Sequence, residues 1–294
     1  MHEHNSRMNP LVSIVIACYN DPDNIEKAVW SALSQTYTNK EVIVVDDGSN
    51  AATKVVLKKL EPEITLLLTQ ENQGQSIARN NGIRAAKGDY ILNHDSDDFF
   101  DPTFCVKAVS KFQADDRIAI VTCQANRFNE AGPIDVFTPM GGTLNDFLFA
   151  NSALGSSMFK RKDWELSGGY EEKIPILGFE DWEFYIQILK LGGYAYVIQE
   201  VLFNYQVRIN STTDRIRDFK LEKYKHIIMK HDVLYKANFE QLLTDLFGRI
   251  QREKAEKIKN TTRIEFRLGG ALLRPLRFIM SFLRDNHLLK FKNK

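Results

Sequence analysis

The chain contains little cysteine. Its 294 residues include three, Cys18, Cys105 and Cys123, which are widely spaced and odd in number. Such a set cannot form a disulfide framework, and no pair has the Cys-x-x-Cys spacing of a zinc site. The cysteine content therefore indicates a protein of a reducing compartment.

Long apolar runs are also missing. No stretch of about 18 apolar residues occurs, and the first ten residues, MHEHNSRMNP, lack the apolar core of a signal peptide. The sequence thus predicts neither secretion nor a membrane-spanning segment, and it favours a cytoplasmic location.

Several motifs of nucleotide and metal chemistry are absent. There is no Gly-x-Gly-x-x-Gly after the first predicted strand, no P-loop and no His-Glu-x-x-His. These absences disfavour dinucleotide oxidoreductases, P-loop NTPases and zinc hydrolases. A His/Asp metal hydrolase centred on His94 would need a second histidine, and none lies nearby in the sequence. We therefore interpret Asn93-His94 as structural.

Charge is unevenly distributed although the net charge is only +1. Residues 248–294 hold 13 Lys and Arg against 4 Asp and Glu, a balance of +9, and the remainder of the chain has a balance of −8. A basic tail on an acidic body suggests an anionic partner: a membrane surface, a nucleic acid or another protein.

Residues 11–125 alternate between apolar runs and amphipathic segments. Near-continuous apolar strands separated by helices indicate a mostly parallel, Rossmann-like α/β sheet covered on both faces. The predicted strands are Leu11–Ala17, Glu41–Val45, Ile64–Leu68, Tyr90–Leu92 and Ile118–Cys123. The predicted helices are Asp23–Thr36, with Asp23 as N-cap, Ala51–Leu60, Ser76–Ala86 and Thr103–Phe112.

The pattern loosens between residues 126 and 210. One clear helix, Trp182–Leu191, follows the acidic pair Glu180-Asp181, and the chain from Asp218 onward is helical in pattern. This last region is predicted to be a helical appendage.

Three predicted strands end in polar segments: Cys18-Tyr19-Asn20-Asp21, Asp46-Asp47-Gly48-Ser49 and Asn93 to Asp98. Ligands of an open parallel sheet bind where such strand ends meet. Carboxylates at Asp95, Asp97 and Asp98 suit Mg²⁺ or Mn²⁺, held partly by protein and partly by substrate phosphates. The alternative is that these acidic segments are only turns and helix caps.

The motifs fall in an order that resembles one family. They are Ser13 to Asn20, Val44-Val45-Asp46-Asp47-Gly48-Ser49, Asn72-x-Gly74, Ala78-Arg79-Asn80-x-Gly82, Asp95-x-Asp97-Asp98-x-x-x-Pro102, Phe159-Lys160-Arg161, Gly168-Gly169-Tyr170 and Gly178-Phe179-Glu180-Asp181. Over residues 10–210 the chain resembles the family 2 glycosyltransferases with the A-type glycosyltransferase fold. It looks most like the bacterial enzymes that assemble capsule, lipopolysaccharide or other surface glycans.

The resemblance implies a division of the chain. Residues 1–9 would be an N-terminal extension and 10–217 the catalytic domain, with a nucleotide-binding half, 10–125, and an acceptor half, 126–217. Residues 218–294 would be a basic, amphipathic helical region.

The resemblance also implies how the donor is bound. Tyr19 would stack on the nucleotide base, and Asp47 would accept a hydrogen bond from the base imide, which favours a UDP-sugar. Further contacts to the nucleotide or donor sugar are implied for Asn20, Asp46, Gly74, Arg79, Asp95, Asp98 and Arg208. For Arg79 the alternative is a surface arginine on a helix.

Metal and catalytic roles follow from the same resemblance. Asp97 is the expected direct ligand of Mn²⁺ or Mg²⁺, with Asp95 as a second. Asp181 is the expected general base, with Glu180 as the second candidate, and a single base opposite the leaving group implies inversion. The alternative is that Glu180 and Asp181 are first-turn residues favoured by the helix dipole.

Two departures from the family pattern bear on the product. The Gln-x-x-Arg-Trp signature of processive synthases is missing, which predicts transfer of one or a few sugars, of the hexosyl or N-acetylhexosaminyl type. Tyr205-Gln206-Val207-Arg208 differs from the family's Tyr-Arg-x-His segment, although Arg208 still suits phosphate oxygens.

The tail has an apolar stripe opposite arginines over residues 264–284, with Leu268, Leu272 and Leu276 on the apolar side. An interfacial helix on anionic lipid has this pattern, and it suits a saccharide or lipid-linked acceptor at the inner face of the plasma membrane. The alternatives are packing on the catalytic domain or a homodimer interface; nucleic acid is disfavoured. For the whole protein, the alternatives are a non-catalytic sugar-nucleotide-binding partner subunit and a sugar-phosphate nucleotidyltransferase.

Overall fold

The computed structural model describes residues 9–173, 177–208 and 220–263, together with Leu268 and Leu273. The chain divides into two compact units, of which the first ends at Asp232 and the second begins at Val233. Residues 1–8 and the predicted boundary between residues 217 and 218 lie outside the described residues.

A nine-stranded sheet forms the centre of the described part of the first unit. Its strands are β1 Val12–Cys18, β2 Lys40–Asp47, β3 Leu66–Gln70, β4 Tyr90–Asp95, β5 Phe99–Phe100, β6 Ile118–Asn129, β7 Gly132–Phe137, β8 Met158–Lys160 and β9 Tyr194–Gln206. The order is β3-β2-β1-β4-β8-β6-β9-β5, with β7 paired to β6. Strands β1 to β4 are parallel to one another, as are β6 and β9. This confirms the predicted mostly parallel α/β sheet.

Helices lie between and after the strands. In the first unit they are α1 Ile25–Leu33, α2 Ala51–Leu60, α3 Gln75–Ala85, α4 Phe104–Ala114, α5 Leu144–Leu148, α6 Arg161–Ser167, α7 Glu180–Leu189 and α8 Lys220–Lys230. A 3₁₀ turn, Glu61–Glu63, follows α2. The four helices predicted before residue 125 are all present.

The predicted N-cap of α1 is wrong. Asn24, not Asp23, occupies the N-cap position, and it makes no side-chain capping bond. Asp23 instead lies in the turn before the helix, in which the amide of Ile25 donates to the Asp21 carbonyl at 3.3 Å and Nδ2 of Asn24 donates to Oδ1 of Asp21 at 2.7 Å.

Close packing of helix α3 on the sheet depends on a glycine. A Cβ atom at Gly82 would lie 2.4 Å from Cγ1 of Val15 on β1 and 3.0 Å from Cγ2 of Val45 on β2. Because real carbon contacts are longer than this, the backbone of α3 reaches the sheet only without a side chain here. The helix that carries Arg79 is thereby held directly against β1 and β2.

The segment between 126 and 210 is more regular than the sequence suggests. It contains β7, β8, β9, α5 and α6 in addition to the predicted helix, which begins at Glu180 rather than Trp182. Strand β9 has an irregular burial pattern because its middle, from Gln199 to Val201, is exposed. Its register with β6 also shifts beside Gln124, so no simple alternation marks it.

The predicted helical region after Asp218 is confirmed over its described part. After α8 come α9 Asp232–Ala237 and α10 Phe239–Thr262. Helix α8 belongs to the first compact unit, whereas α10 belongs to the second. Among the described helices, none has the length and apolar character needed to cross a membrane.

Candidate active site

The carboxyl ends of β1, β2 and β4 meet at one edge of the sheet. In the register of these parallel strands, Cys18 pairs with Asp46 and Ala17 with Asp95. The three polar segments predicted to converge therefore begin side by side.

The first segment presents an exposed aromatic ring. Tyr19 is 52% exposed, while Asn20 adopts a left-handed conformation with a φ of 52°, which asparagine tolerates better than most residues. The amide of Asn20 donates to Oγ of Ser49 at 3.1 Å, and its Oδ1 accepts from the amide of Asn50 at 2.7 Å. Asp46 closes the facing turn by accepting from the amide of Ser49 at 2.9 Å.

Asp47 is buried and accepts four hydrogen bonds from one short segment. Oδ1 accepts from Nε2 of Gln70 at 2.8 Å and from the amide of Gln73 at 2.9 Å. Oδ2 accepts from the amide of Gly74 at 2.9 Å and from Nδ2 of Asn72 at 3.3 Å. Since a carboxylate offers about four lone-pair positions, a base N–H would have to replace one of these donors, and the Asn72 contact is the longest.

Arg79 joins the two halves of the predicted site. It is 2% exposed, and its Nη2 lies 2.6 Å from Oδ1 of Asp95 while its Nη1 lies 3.5 Å from Oε1 of Glu180. Burial acts to lower the pKa of Arg79, but Asp95, Tyr170 and Glu180 raise it above its ordinary value. Arg79 is therefore a buried, permanently charged residue, and the alternative of a surface arginine is wrong.

The Asp-x-Asp-Asp segment meets the end of β9. Arg208 donates through Nη2 to Oδ2 of Asp97 and through Nη1 to Oδ1 of Asp21, the latter at 3.3 Å. Asp98 is buried and accepts from the amide of Gln206 at 2.8 Å. Burial and the charge of Asp97 raise the pKa of Asp98 well above its ordinary value.

The donor set at this corner fits a divalent cation. Asp97 and Asp21 already hold one cation between them, the guanidinium of Arg208, and carboxylates are ligands that Mg²⁺ and Mn²⁺ prefer. Among the residues that the structure describes, no three His, Cys, Asp or Glu side chains form a complete metal-binding group. One or two carboxylates from the protein with further ligands from a diphosphate is the arrangement that these residues can offer.

Asp181 lies in the first turn of α7 and keeps part of its surface accessible. Oδ2 accepts from Nδ2 of Asn151 at 2.9 Å, and Oδ1 accepts from the amide of Trp182 at 2.8 Å. Burial, followed by the negative charge of Glu180, raises the pKa of Asp181 to about 7, although Arg79 opposes the rise. A carboxylate with this pKa is suited to accept a proton near neutral pH.

Asn80 fixes the segment that leads toward the acidic pair. Its Oδ1 accepts from Nε1 of Trp164 and from the amide of Tyr170, both at 3.0 Å. Its Nδ2 donates to the Tyr170 carbonyl and to Oε1 of Glu172, both at 2.8 Å. Every hydrogen-bonding position of this buried amide is used, which ties α3 to the Gly168-Gly169-Tyr170 motif.

His94 has a structural environment, as interpreted from the sequence. Its Nε2 lies 3.2 Å from the carbonyl oxygen of Asp98, so the ring braces the turn that carries the acidic segment. Burial lowers the pKa of His94 to about 4, and the imidazole is therefore neutral at pH 7.

Residues 13–156 match the family described as Glycosyl transferase family 2. The putative teichuronic acid biosynthesis glycosyltransferase TuaG of Bacillus subtilis (strain 168) is 30% identical over 208 residues, which cover 69% of this chain and 81% of that protein. The chain belongs to the family 2 glycosyltransferases.

Larger members of the family also match this chain. The chondroitin synthase of Escherichia coli is 27% identical over 265 residues, which cover 85% of this chain and 37% of the synthase. The hyaluronan synthase of Pasteurella multocida is 26% identical over 282 residues, covering 92% of this chain and 28% of the synthase. The chain thus spans about a third of the length of these relatives.

Solved structures confirm the A-type glycosyltransferase fold. TarS 1-349 of S. aureus in complex with UDP-GlcNAc aligns with a TM-score of 0.58 and 19% identity, covering 69% of this chain and 60% of that chain. The mannosyltransferase PcManGT of Pyrobaculum calidifontis, in complex with GDP-Man and Mn²⁺, aligns with a TM-score of 0.56 and 19% identity, covering 90% and 84%.

Two contacts of this glycosyltransferase site could not be assigned from the sequence. Asn151 bonds Asp181 from 30 positions away, in a segment without recognisable periodicity. Asp21 stands in a polar segment at the end of the first strand, but its long-range contacts place it beside Asp97: it accepts from Oγ of Ser96 at 2.9 Å and from Arg208, 187 positions later.

Proposed function

We propose that the protein is an inverting, metal-dependent glycosyltransferase that moves a single sugar from a nucleoside-diphosphate sugar, with UDP favoured, to a saccharide or lipid-linked acceptor in bacterial surface polysaccharide synthesis. The observation that carries this proposal is the pair of contacts from Arg79 to Asp95 and Glu180. These contacts connect the acidic ends of the strands with the acidic start of α7, which supports the proposal that both belong to one site.

Donor recognition would begin at the exposed ring of Tyr19, on which the base stacks. The base imide N–H would donate to Asp47 in place of Nδ2 of Asn72, which keeps its 3.0 Å bond to the Asp47 carbonyl. Uracil offers the required donor. TarS has been solved with UDP and UDP-GlcNAc, whereas PcManGT has been solved with GDP-Man, so a test of the nucleotide must include both.

The diphosphate would lie near Asp97, Asp95 and Arg208. Asp97, assisted by Asp95, would hold Mn²⁺ or Mg²⁺, and the bound ion would offset the negative charge that develops on the leaving nucleoside diphosphate. Arg208 has the planar guanidinium that suits phosphate oxygens. The Mn²⁺ in PcManGT supports this use of a divalent cation.

Asp181 would act as the general base. Its carboxylate accepts the proton of an acceptor hydroxyl, the oxygen attacks the anomeric carbon, and the bond to the diphosphate breaks. Attack from the face opposite the leaving group inverts the configuration in one displacement. Asn151, at 2.9 Å from Oδ2, would orient the carboxylate, and Glu180 would serve chiefly to anchor Arg79.

We also propose that the C-terminal helical region brings the enzyme to a lipid-linked acceptor at the membrane. Helix α10 carries an exposed apolar stripe, Phe239, Leu243, Phe247, Ile250 and Ile258. Its five basic and four acidic residues nearly balance, so the proposed peripheral contact with the anionic inner face of the plasma membrane rests on the basic region 264–284. The predicted stripe 264–284 lies outside the described residues except for Leu268 and Leu273, both exposed.

Flotation with phosphatidylglycerol vesicles at low salt tests the membrane contact. Protein that floats supports it. Protein that stays in the soluble fraction contradicts it, and a dimer found by light scattering would then assign the stripe to a second copy.

Calorimetric titration with UDP, dTDP, GDP and CDP, each with and without Mn²⁺, tests the donor site. We expect one nucleotide to bind and Mn²⁺ to tighten its binding. Hydrolysis of the matching sugar nucleotides then identifies the hexosyl or N-acetylhexosaminyl donor. Failure of folded protein to bind any nucleotide would favour a non-catalytic partner subunit.

A further inference from the structure

Helix α8 contributes a buried lysine to the acceptor half of the site. Lys223 is 9% exposed, and its Nζ donates to the carbonyl oxygen of Leu177 at 2.5 Å. Burial lowers the pKa of Lys223, and the nearby charge of Glu180 counters this effect. Burying an amine costs free energy because it loses hydrogen bonds to water, so a buried amine needs a hydrogen bond such as this one to compensate.

The same peptide unit touches Glu180 on its other side. The carbonyl of Leu177 and the amide of Gly178 belong to one peptide group, and the Gly178 amide donates to Oε2 of Glu180 at 2.5 Å. Because a trans peptide is planar with its C=O and N–H pointing in opposite directions, fixing the carbonyl also fixes the direction of the N–H. Hydrogen bonds in such a chain also polarise one another.

Helix α8 is anchored independently of Lys223. Lys230 places its Nζ 2.7 Å from Oε2 of Glu171 and 2.8 Å from Oε1 of Glu183, and Nε2 of His231 lies 2.9 Å from the same Glu183 oxygen. The ring of Tyr224 stacks on Trp182 with centroids 5.5 Å apart. These contacts hold α8 against α7, so that Lys223 reaches the peptide from a fixed support.

We propose that Lys223 is a positioning residue of the transfer reaction, which acts through the Leu177–Gly178 peptide to hold Glu180 against Arg79 and so to set the start of α7 that presents Asp181. The inference rests on the proposed function for its catalytic consequence. The structural part of the inference, that Lys223 fixes the Leu177–Gly178 peptide, does not depend on the proposed function.

The test compares K223M, which removes the donor, with K223R, which retains one. K225M is the matched control, because Lys225 is an exposed residue of the same helix. Two readouts are taken: hydrogen exchange of the amides from 177 to 183 without ligand, and kcat and KM for hydrolysis of the UDP-sugar that the wild type accepts. K223Q replaces K223M if the latter fails to fold.

We expect K223M to exchange the Gly178 amide about tenfold faster and to lose about tenfold to a hundredfold in kcat, because a misplacement of about 1 Å can lower the rate about a hundredfold. The donor KM should change less than about twofold. K223R should recover most of both losses, and K225M should match the wild type.

Exchange and kcat of K223M equal to those of K225M would overturn the proposal. So would a loss that K223R does not recover and that is accompanied by a general rise in exchange throughout α7. A wild type that neither binds nor hydrolyses any sugar nucleotide would refute the proposed function, while the exchange comparison would still decide whether Lys223 fixes the peptide.

Discussion

Arg208 donates a hydrogen bond to Asp97, the carboxylate that we propose as the direct metal ligand. The same guanidinium reaches Asp21 at 3.3 Å. A protein cation therefore shares this carboxylate with any metal ion that binds there. Because a guanidinium has five N–H donors, Arg208 can contact a phosphate oxygen while it still donates to Asp97.

Removing this guanidinium should strengthen metal binding in the absence of nucleotide. We expect R208Q to bind Mn²⁺ about threefold to tenfold more tightly than the wild type, roughly 0.7 to 1.4 kcal/mol, because Asp97 no longer has a competing partner. Titration followed by electron paramagnetic resonance measures the free Mn²⁺. R127Q, which removes an exposed arginine paired with Asp135 at 2.5 Å, is the control. Equal or weaker Mn²⁺ binding by R208Q would contradict the competition.

Replacement of Asp181 should separate binding from chemistry. We expect D181N to lose about 10²- to 10⁴-fold in kcat, the usual contribution of a general base, with UDP affinity nearly unchanged because Asp181 lies on the acceptor side. Calorimetry measures the affinity for UDP, and the rate is measured from the release of UDP as product. D163N, which changes a first-turn aspartate of helix α6, should behave like the wild type. A D181N enzyme with most of its activity would remove Asp181 from the mechanism.

The raised pKa of Asp181 predicts how the rate depends on pH. With a pKa of about 7, the carboxylate form is lost tenfold per unit below neutrality, so kcat should rise up to about pH 7 and then level off. A rate independent of pH between 5 and 8, under conditions where chemistry limits kcat, would show that this carboxylate takes no proton.

Stability should show the opposite trend with pH. The pKa of Asp181 is about 7 in the folded state against an ordinary 3.8, so the folded state binds a proton that the unfolded state lacks between these values. This contribution to stability is lost as the pH rises from about 4 to about 7. Between pH 5 and pH 8 the free energy of unfolding of the wild type should therefore fall by about 2 to 3 kcal/mol more than that of D181N, as measured by urea unfolding. A constant difference would refute the raised pKa.

The exposed ring of Tyr19 should account for much of the nucleotide affinity. We expect Y19A to bind UDP with a loss of about 1 to 3 kcal/mol, the usual value of stacking a base on an aromatic side chain. W30A removes another exposed aromatic, 46% accessible on helix α1, and should leave the affinity unchanged. Calorimetry measures the UDP affinity of both variants. If Y19A binds UDP as tightly as W30A does, the base does not stack on Tyr19.

Two glycines should respond oppositely to alanine. At Gly82 the new Cβ would meet Val15 at 2.4 Å, so we expect G82A to lose about 1 to 3 kcal/mol of unfolding free energy through overpacking. At Gly248 the nearest atom is a flexible arginine nitrogen at 3.5 Å, so G248A should gain about 0.5 to 1 kcal/mol from helix propensity. Urea unfolding monitored by circular dichroism compares them; a stable G82A would show that α3 can shift away from the sheet.

The sequence predicts the first half of the fold well because strands β1, β2 and β4 are buried on both faces. A continuous apolar run such as β1 can be identified as a strand without knowing which strand it pairs with. The positions of Asp46, Asp47 and Asp95 then follow from where these strands end. Strand β9 is not predicted from the sequence, because its middle is exposed and it therefore lacks a continuous apolar run.

The contacts within the site are less accessible to sequence reasoning. The sequence predicts that Arg79 faces the nucleotide, with solvent as the alternative. It does not predict that Arg79 lies between Asp95 and Glu180, which are 16 and 101 positions away along the chain. Lys223 lies in a segment whose pattern indicates a helix. That pattern does not indicate which group the lysine contacts. Long-range pairs of this kind leave no local periodicity.

Glu183 sets an order of events during synthesis of the chain. Its side chain is fully buried on α7, and its oxygen Oε1 is paired with residues that include His231, 48 positions later. Among the described residues, the ion-pair partners of this acid are Lys230 and His231, at and just after the end of α8, and an unpaired buried charge is strongly unfavourable. Helix α7, and Asp181 with it, can therefore reach its final position only after most of the chain has been made. A nascent chain could complete its nucleotide-binding strands early and still lack transferase activity until this late helix docks.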